Sequence, residues 1–302
     1  MKRFRKILLD IDTGRGPGAA LQRATMLARQ NDATVTAVAV APEMPRSSGL
    51  LVPDDLGEML GGEREERLAT TVAELQTAGV RVASKMLSGD HAVALIREVV
   101  GGGHDLLLRS HSTAAPYGPI DMKLLRKCPC RVWLVAGPAA GFYRKILAAV
   151  KANPDDASMN GLNSEVLDLA TSLAASEGGE VLVVHGWSLF GEDVLRGRCQ
   201  PAELSQLLED TRSAARRELD AVVQPFAELV REDHIHLIKG LPGDVIPEFV
   251  ASQDVDLLIM GTLARSGVAG LVTGNTAEDV LTKVRCSLIA LKPPGFVSPI
   301  TL

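Results

Sequence analysis

Apolar residues along the chain fall into short runs separated by longer stretches in which they recur at helical spacing. Lys6–Asp12, Val35–Val40, Val80–Leu87, His104–Leu108 and Val132–Val135 read as strands, with a helix over Glu63–Gly79. The rhythm then starts again. Lys145–Lys151, Val181–His185, His234–Lys239, Val255–Ile259 and the segment after Cys286 read as strands, with helices over Glu203–Val230 and Thr276–Val284. Strands apolar on both faces, alternating with helices, predict parallel sheets covered by helices and joined by right-handed crossovers.

The second series repeats the first. Gly89–Leu108 aligns without a gap on Gly240–Ile259, 151 positions on, whereas the two first strands lie 139 apart and the cysteine turns 156 to 158 apart. One α/β domain has therefore been duplicated with small insertions in the second copy. The expected domains are 1–138 and 139–302, joined through the Gly- and Pro-containing linker Gly137–Tyr143. The Pro- and Gly-rich stretch Ala41–Gly62 reads as a surface excursion.

Composition agrees with two cores: 302 residues, 46% of them hydrophobic, suffice for two domains of about 150 residues. A net charge of −5 offers no field for a nucleic acid or an acidic membrane surface. No apolar run approaches the length of a membrane span, and the amino terminus meets an acid after only a few apolar residues, unlike a signal peptide. A cytoplasmic protein with Cys128, Cys130, Cys199 and Cys286 as reduced thiols is expected. Cys128 and Cys130 flank a proline as a redox or metal pair would, but they lead directly into a strand and read as strand entry.

Candidate chemistry concentrates in Met260–Asp279, which leaves a buried strand and enters a helix. In a parallel sheet, ligands sit at the carboxyl ends of strands, and helix N-termini there favour anions. Gly261, Gly267, Gly270 and Gly274 let backbone N–H groups approach an oxyanion, and Arg265 adds a charge-assisted donor. The same spacing also serves a plain loop with a capped helix start at Asn275–Glu278. No GxxxxGK[ST] phosphate loop is present.

With the Met260–Gly274 segment, Ala277–Glu278, Gly102–Leu106, Leu124–Pro129, Lys239–Pro242 and a cysteine before the last strand, the sequence resembles the universal stress protein family, most closely its tandem members, over essentially its whole length. That resemblance implies two tandem Rossmann-like domains of the adenine nucleotide alpha hydrolase type, each a five-stranded parallel sheet with helices on both faces. It also implies ATP in some members, held through G-x2-G-x9-G-[ST] and an acid ending the first strand. Here the motif falls on Gly261, Ala264, Gly274 and Asn275, so two of its four positions depart. The acid is Asp12 in the first copy but Lys151 in the second, and an ammonium cannot accept the bonds a carboxylate accepts. The first copy keeps Asp12, beside Val40, but its loop after the fourth strand is shorter and lacks the glycines, so its site reads as degenerate.

The resulting expectation is a stress-response binding protein that takes a nucleotide or related anion in the second domain. The site would comprise Lys151, Gly186, Gly261, Thr262, Ala264, Arg265, Gly267, Gly274, Asn275 and Thr276. ATP is the candidate cofactor, with Mg²⁺ only as its counter-ion; no residue is assigned a catalytic role, and no resident metal is expected. An intramolecular pseudo-dimer of the two copies, or a homodimer, is the expected assembly. An interaction scaffold with two degenerate sites, and a slow ATPase or autophosphorylating protein, remain as alternatives. His234 and His236 share one strand face at period two, as metal ligands do, but no third ligand stands near them. His104 and His111 flank the fourth strand, with His91 at an earlier turn, and no nucleophile elbow accompanies them.

Overall fold

The computed structural model describes residues 4–11, 18–41, 56–114, 117–137, 141–153, 156–262 and 275–302. Two compact units emerge. The first comprises Met1–Gly141 with Ser287–Ile289 and Val297–Leu302; the second comprises Phe142–Cys286 with Ala290–Phe296.

In the first unit, β1 (Lys6–Asp10), β2 (Thr34–Ala41), β3 (Arg81–Ser88), β4 (Leu106–His111) and β5 (Arg131–Ala136) form a sheet in the order β3-β2-β1-β4-β5. All four pairings are parallel. Crossovers run through α1 (Gly18–Asn31), α2 (Leu56–Thr77), α3 (His91–Gly102) and α4 (Pro119–Lys127). β1 and β4, flanked on both sides by strands, are buried almost throughout, whereas the edge strand β3 is largely exposed.

The second half of the chain repeats the pattern with β6 (Lys145–Ala149), α5 (Ala157–Glu177), β7 (Glu180–Trp187), α6 (Glu192–Arg196), α7 (Pro201–Val223), β8 (Ile235–Lys239), α8 (Pro242–Ser252), β9 (Leu257–Gly261), α9 (Asn275–Lys283) and β10 (Ser287–Leu291), the last divided between the units after Ile289. β9, β6, β7 and β8 pair in that order, in parallel, with β10 beside β9. The α/β class with parallel sheets, read from the apolar rhythm, is the fold observed.

Several boundaries differ from the sequence expectation. β4 runs to His111 instead of ending at Leu108, which draws Arg109 into the ladder opposite Asp10. α2 begins at Leu56, inside the expected surface excursion, while 42–55 lies outside the described residues. The long helix before β8 stops at Val223, because Pro225 removes a helical N–H, and a short 3-10 turn, Gln224–Phe226, follows. His234 sits in another 3-10 turn, not in β8, so the expected pairing of His234 and His236 on one strand face does not hold.

The duplication extends to single hydrogen bonds. Asp105 accepts from the backbone N–H groups of Arg5 and Lys6 at 2.8 and 3.3 Å; Asp256 does the same for Arg144 and Lys145 at 2.8 and 2.9 Å. Lys6 donates to Gly102 O at the end of α3, and Lys145 to Gln253 O, one residue past α8. Gly103, with φ 63°, closes α3, and Asp254, with φ 51°, takes the same left-handed turn after α8.

Candidate functional site

At the carboxyl ends of β6, β7 and β9 lies a cavity of about 380 Å³, enclosed by residues of the second unit. Ala149, Val150 and Lys151 enter it from β6 and the turn that follows, His185 and Gly186 from β7, and Met260 and Gly261 from β9. Met159, Leu162 and Asn163 come from α5, Pro242 and Ile246 from α8, and Ala277 from α9. The volume falls within the range of small-molecule sites, about 300–1,000 Å³.

Local chemistry explains why these residues meet. Asp156 caps α5, accepting from Met159 N at 3.0 Å, and so sets the helix start that brings Asn163 to the cavity. The buried Asn163 amide clamps the backbone of Lys151 from both sides: its Oδ1 accepts from Lys151 N at 3.1 Å and its Nδ2 donates to Lys151 O at 2.8 Å. The turn beyond β6 is thereby fixed, and the Lys151 side chain stands exposed at the cavity with no ion pair to a described residue.

On the helix side, Pro247 interrupts α8 and can give no N–H to the carbonyl of Gly243. Lys283 of α9 takes that carbonyl at 3.0 Å and also holds Asp244 Oδ1 at 2.6 Å, which ties α9 to α8 beside the cavity. Gly243 lets the two helices approach, since a Cβ there would lie 2.9 Å from Asp279 Cβ.

His185, 8% exposed, donates Nδ1–H to Val150 O at 3.1 Å. Burial holds its ring below the ordinary imidazole value, the hydrogen bond to Val150 opposing the shift, so the imidazole is neutral at pH 7. Gly186 is needed for close approach of chain to chain: a Cβ would meet Gly240 O at 3.2 Å. Gly261 is more crowded, with an added Cβ 2.3 Å from Leu162 Cδ2, so its smallness admits a side chain of α5.

The expected site residues divide into three groups. Lys151, Gly186 and Gly261 come together around the cavity. Thr262 is fully buried next to it, and its N–H and hydroxyl both donate to Leu291 O, at 2.8 and 3.2 Å, while its Oγ1 accepts from Lys292 Nζ at 2.9 Å. Ala264, Arg265, Gly267, Gly270 and Gly274 lie outside the described residues, and Asn275 and Thr276 open α9. Sequence reasoning missed His185, Asn163, Met159 and Leu162. The capping signal of Asp156 before an apolar-periodic stretch was the available pointer to the α5 contribution.

The first unit places a different chemistry at the equivalent strand ends. Asp10 and Arg109 are register partners between β1 and β4, as Ala149 and Met260 are between β6 and β9. Where the second unit has these two apolar residues, the first has a buried ion pair: Arg109 Nη1 donates to Asp10 Oδ2, and Arg109 Nε donates to Asp121 Oδ1 at 2.9 Å. His91 Nε2 lies 2.9 Å from Asp10 Oδ2, and His111 Nδ1 lies 3.4 Å from Asp121 Oδ2 while its ring packs 4.2 Å from that of Tyr117.

Burial works against the charge of Arg109, but Asp10 and Asp121 outweigh it and push its pKa up. Burial likewise raises Asp121, yet its bond to His111 and the charge of Arg109 leave it below its ordinary value. Of the residues expected there, Val40 is buried in β2 and Asp12 lies outside the described residues. β1 ends at Asp10, so the carboxylate that meets this network is Asp10.

The remaining constellations contribute no described residue to this cavity. Cys128 and Cys130 stand at the entry to β5 with sulfurs 3.5 Å apart, and burial raises the Cys130 thiol. Burial also pushes Cys286 up to about 12. His104 and His111 lie at opposite ends of β4 and share no site. His234 Nδ1 donates to Val181 O, and the His236 ring packs 4.7 Å from Phe249. Among the described residues, no helix is long and apolar enough to cross a membrane.

Comparison with known proteins gives a consistent result. The model of the universal stress protein family matches twice, over residues 3–136 and 142–292. The chain is 28% identical to universal stress protein E of Escherichia coli K12, covering 100% of this chain and 98% of that one. It is 26% identical to universal stress protein E of Photorhabdus laumondii, over 99% and 98%. Among solved structures, a functionally unknown Pseudomonas aeruginosa protein superposes with a TM-score of 0.74 at 22% identity, covering 97% of this chain and 94% of that one. A universal stress protein of Archaeoglobus fulgidus superposes at 0.65 and 16% identity, over 95% and 96%.

Proposed function

The chain belongs to the universal stress protein family, whose domain it carries twice, and from that premise we propose that it is a stress-response binding protein holding one small anionic ligand in its second unit. The observation that carries this reading is the cavity at the carboxyl ends of β6, β7 and β9, with the Lys151 ammonium beside it unpaired among the described residues. Parallel α/β sheets place their ligands at these strand ends. In the first unit the corresponding positions, Asp10 and Arg109, are joined to each other, and Arg109 also to Asp121, so these charges are engaged within the protein.

ATP, with Mg²⁺ as its counter-ion, is the ligand the family resemblance implies. The described lining of the cavity fits it poorly. It contains no carboxylate to accept from an adenine amino group or a ribose hydroxyl, and its Asn163 amide is committed to the Lys151 backbone. Binding without catalysis is the role the described groups support, because among them no nucleophile is paired with a base. Mass spectrometry of small molecules released from the purified chain tests the proposal. An organic anion recovered at close to one per chain, and lost from Lys151→Glu, supports it; an empty protein that takes up neither ATP nor other anions at millimolar concentration overturns it.

A further inference from the structure

We infer that the anion held beside Lys151 has an apolar body, a medium-chain alkyl carboxylate being its simplest form, with the chain in the cavity and the carboxylate on the ammonium. This rests on the binding role proposed above and narrows it to a ligand class. The polar inventory of the cavity is short. Asn163 gives one lone pair and one N–H to Lys151 backbone groups, and His185 gives Nδ1–H to Val150 O, which leaves one amide N–H and the imidazole Nε2 as the polar side-chain atoms beside Lys151 in the described lining. The other described lining side chains are aliphatic or thioether, with Met159, Leu162, Ile246 and Met260 the largest.

Against the described lining a base or sugar would bury more donors and acceptors than those few atoms can pair, and each one left over costs its desolvation. An alkyl chain buries none. Its affinity would come from area removed from water, and Lys151, the one cationic side chain of the described lining, matches a single negative charge. Two exposed apolar side chains follow strand or turn segments of this unit. Leu241, next to the lining Pro242, is 63% exposed, and Phe190, in the turn after β7, is 98% exposed.

Isothermal titration of the full chain with octanoate, decanoate and dodecanoate below their micelle concentrations tests this, with decanol and ATP alongside. One-to-one binding is expected, with affinity rising about four-fold per added methylene. Decanol should bind about ten-fold more weakly than decanoate, the usual order for loss of one charge-assisted contact. Lys151→Met should bring decanoate down to the level of decanol without moving the melting temperature.

An affinity independent of chain length, or a Lys151→Met variant that binds decanoate like the parent, overturns the inference. If ATP binds and is lost in Lys151→Glu while the alkyl series is flat, the apolar-body assignment fails and the binding role stands. If no compound binds saturably, both fail.

Discussion

A methyl group on Gly261 would sit 2.3 Å from Leu162 Cδ2, so this glycine is required by the packing of α5 against the end of β9. Gly261→Ala is therefore expected to destabilise the chain by about 1–3 kcal/mol, as overpacking does. The loss should shrink in a Leu162→Ala background, and a double-mutant cycle by urea unfolding measures that coupling. Lys151 is the opposite case: exposed and fixed only through its backbone, it should tolerate Lys151→Glu within about 0.5 kcal/mol while ligand binding is lost. Asp254 holds φ 51° on the surface, where its counterpart Gly103 has no Cβ to strain. Asp254→Gly should raise stability by about 1 kcal/mol, read as a higher urea midpoint. From sequence, Gly261 reads as a ligand-approach residue. Its packing partner lies on a distant helix, and periodicity says nothing about which residues two elements bring together.

At the scale of elements, the decisive difference from the sequence reading is the length of β4. Ending it at Leu108 leaves Arg109 in a loop; continuing it to His111 sets Arg109 opposite Asp10, inside the sheet. Charged residues at a strand end carry no apolar signal, so the extension became visible only through pairing. Removing one partner of a buried ion pair strands the other, and Arg109→Met is expected to cost about 3–5 kcal/mol. Asp10→Ala combined with Arg109→Met, which copies the Ala149 and Met260 pair, should recover part of that loss. Equal unfolding midpoints for the single and double variants would refute the pairing argument. On the second unit's side, the α8–α9 tie works through Lys283 because Pro247 frees the Gly243 carbonyl, a relation readable in sequence only once the two helices are known to touch.

On the scale of the whole molecule, duplication was the most legible feature, because the repeat spacing is written directly in the chain and recurs in the matched Asp105 and Asp256 clamps. How the copies differ at these strand ends was legible in part: Lys151 marked the second copy, whereas the ion-pair network of Asp10, Arg109 and Asp121 in the first depended on three separate elements. Both units also share a response to acid. His104 in the first, and His185 and His236 in the second, are held below the ordinary imidazole value, in each case chiefly by burial. The unfolded chain takes up protons near pH ~6.5 that these folded rings refuse, so stability present above that pH is lost as the pH falls through it. Urea midpoints measured at pH 8, 6 and 5 should decline in that order, and less steeply in His185→Gln.

On this reading the first copy sets a buried ion pair where the second sets a cavity that takes an anion. Hydrogen–deuterium exchange of the full chain with and without decanoate tests it most directly. Protection is predicted in the segments carrying Lys151 to Asn163, His185 to Gly186 and Met260 to Gly261, with none around Asp10, His91 or Arg109. Protection around Asp10, His91 and Arg109 instead, or in neither set under saturating ligand, would contradict the account.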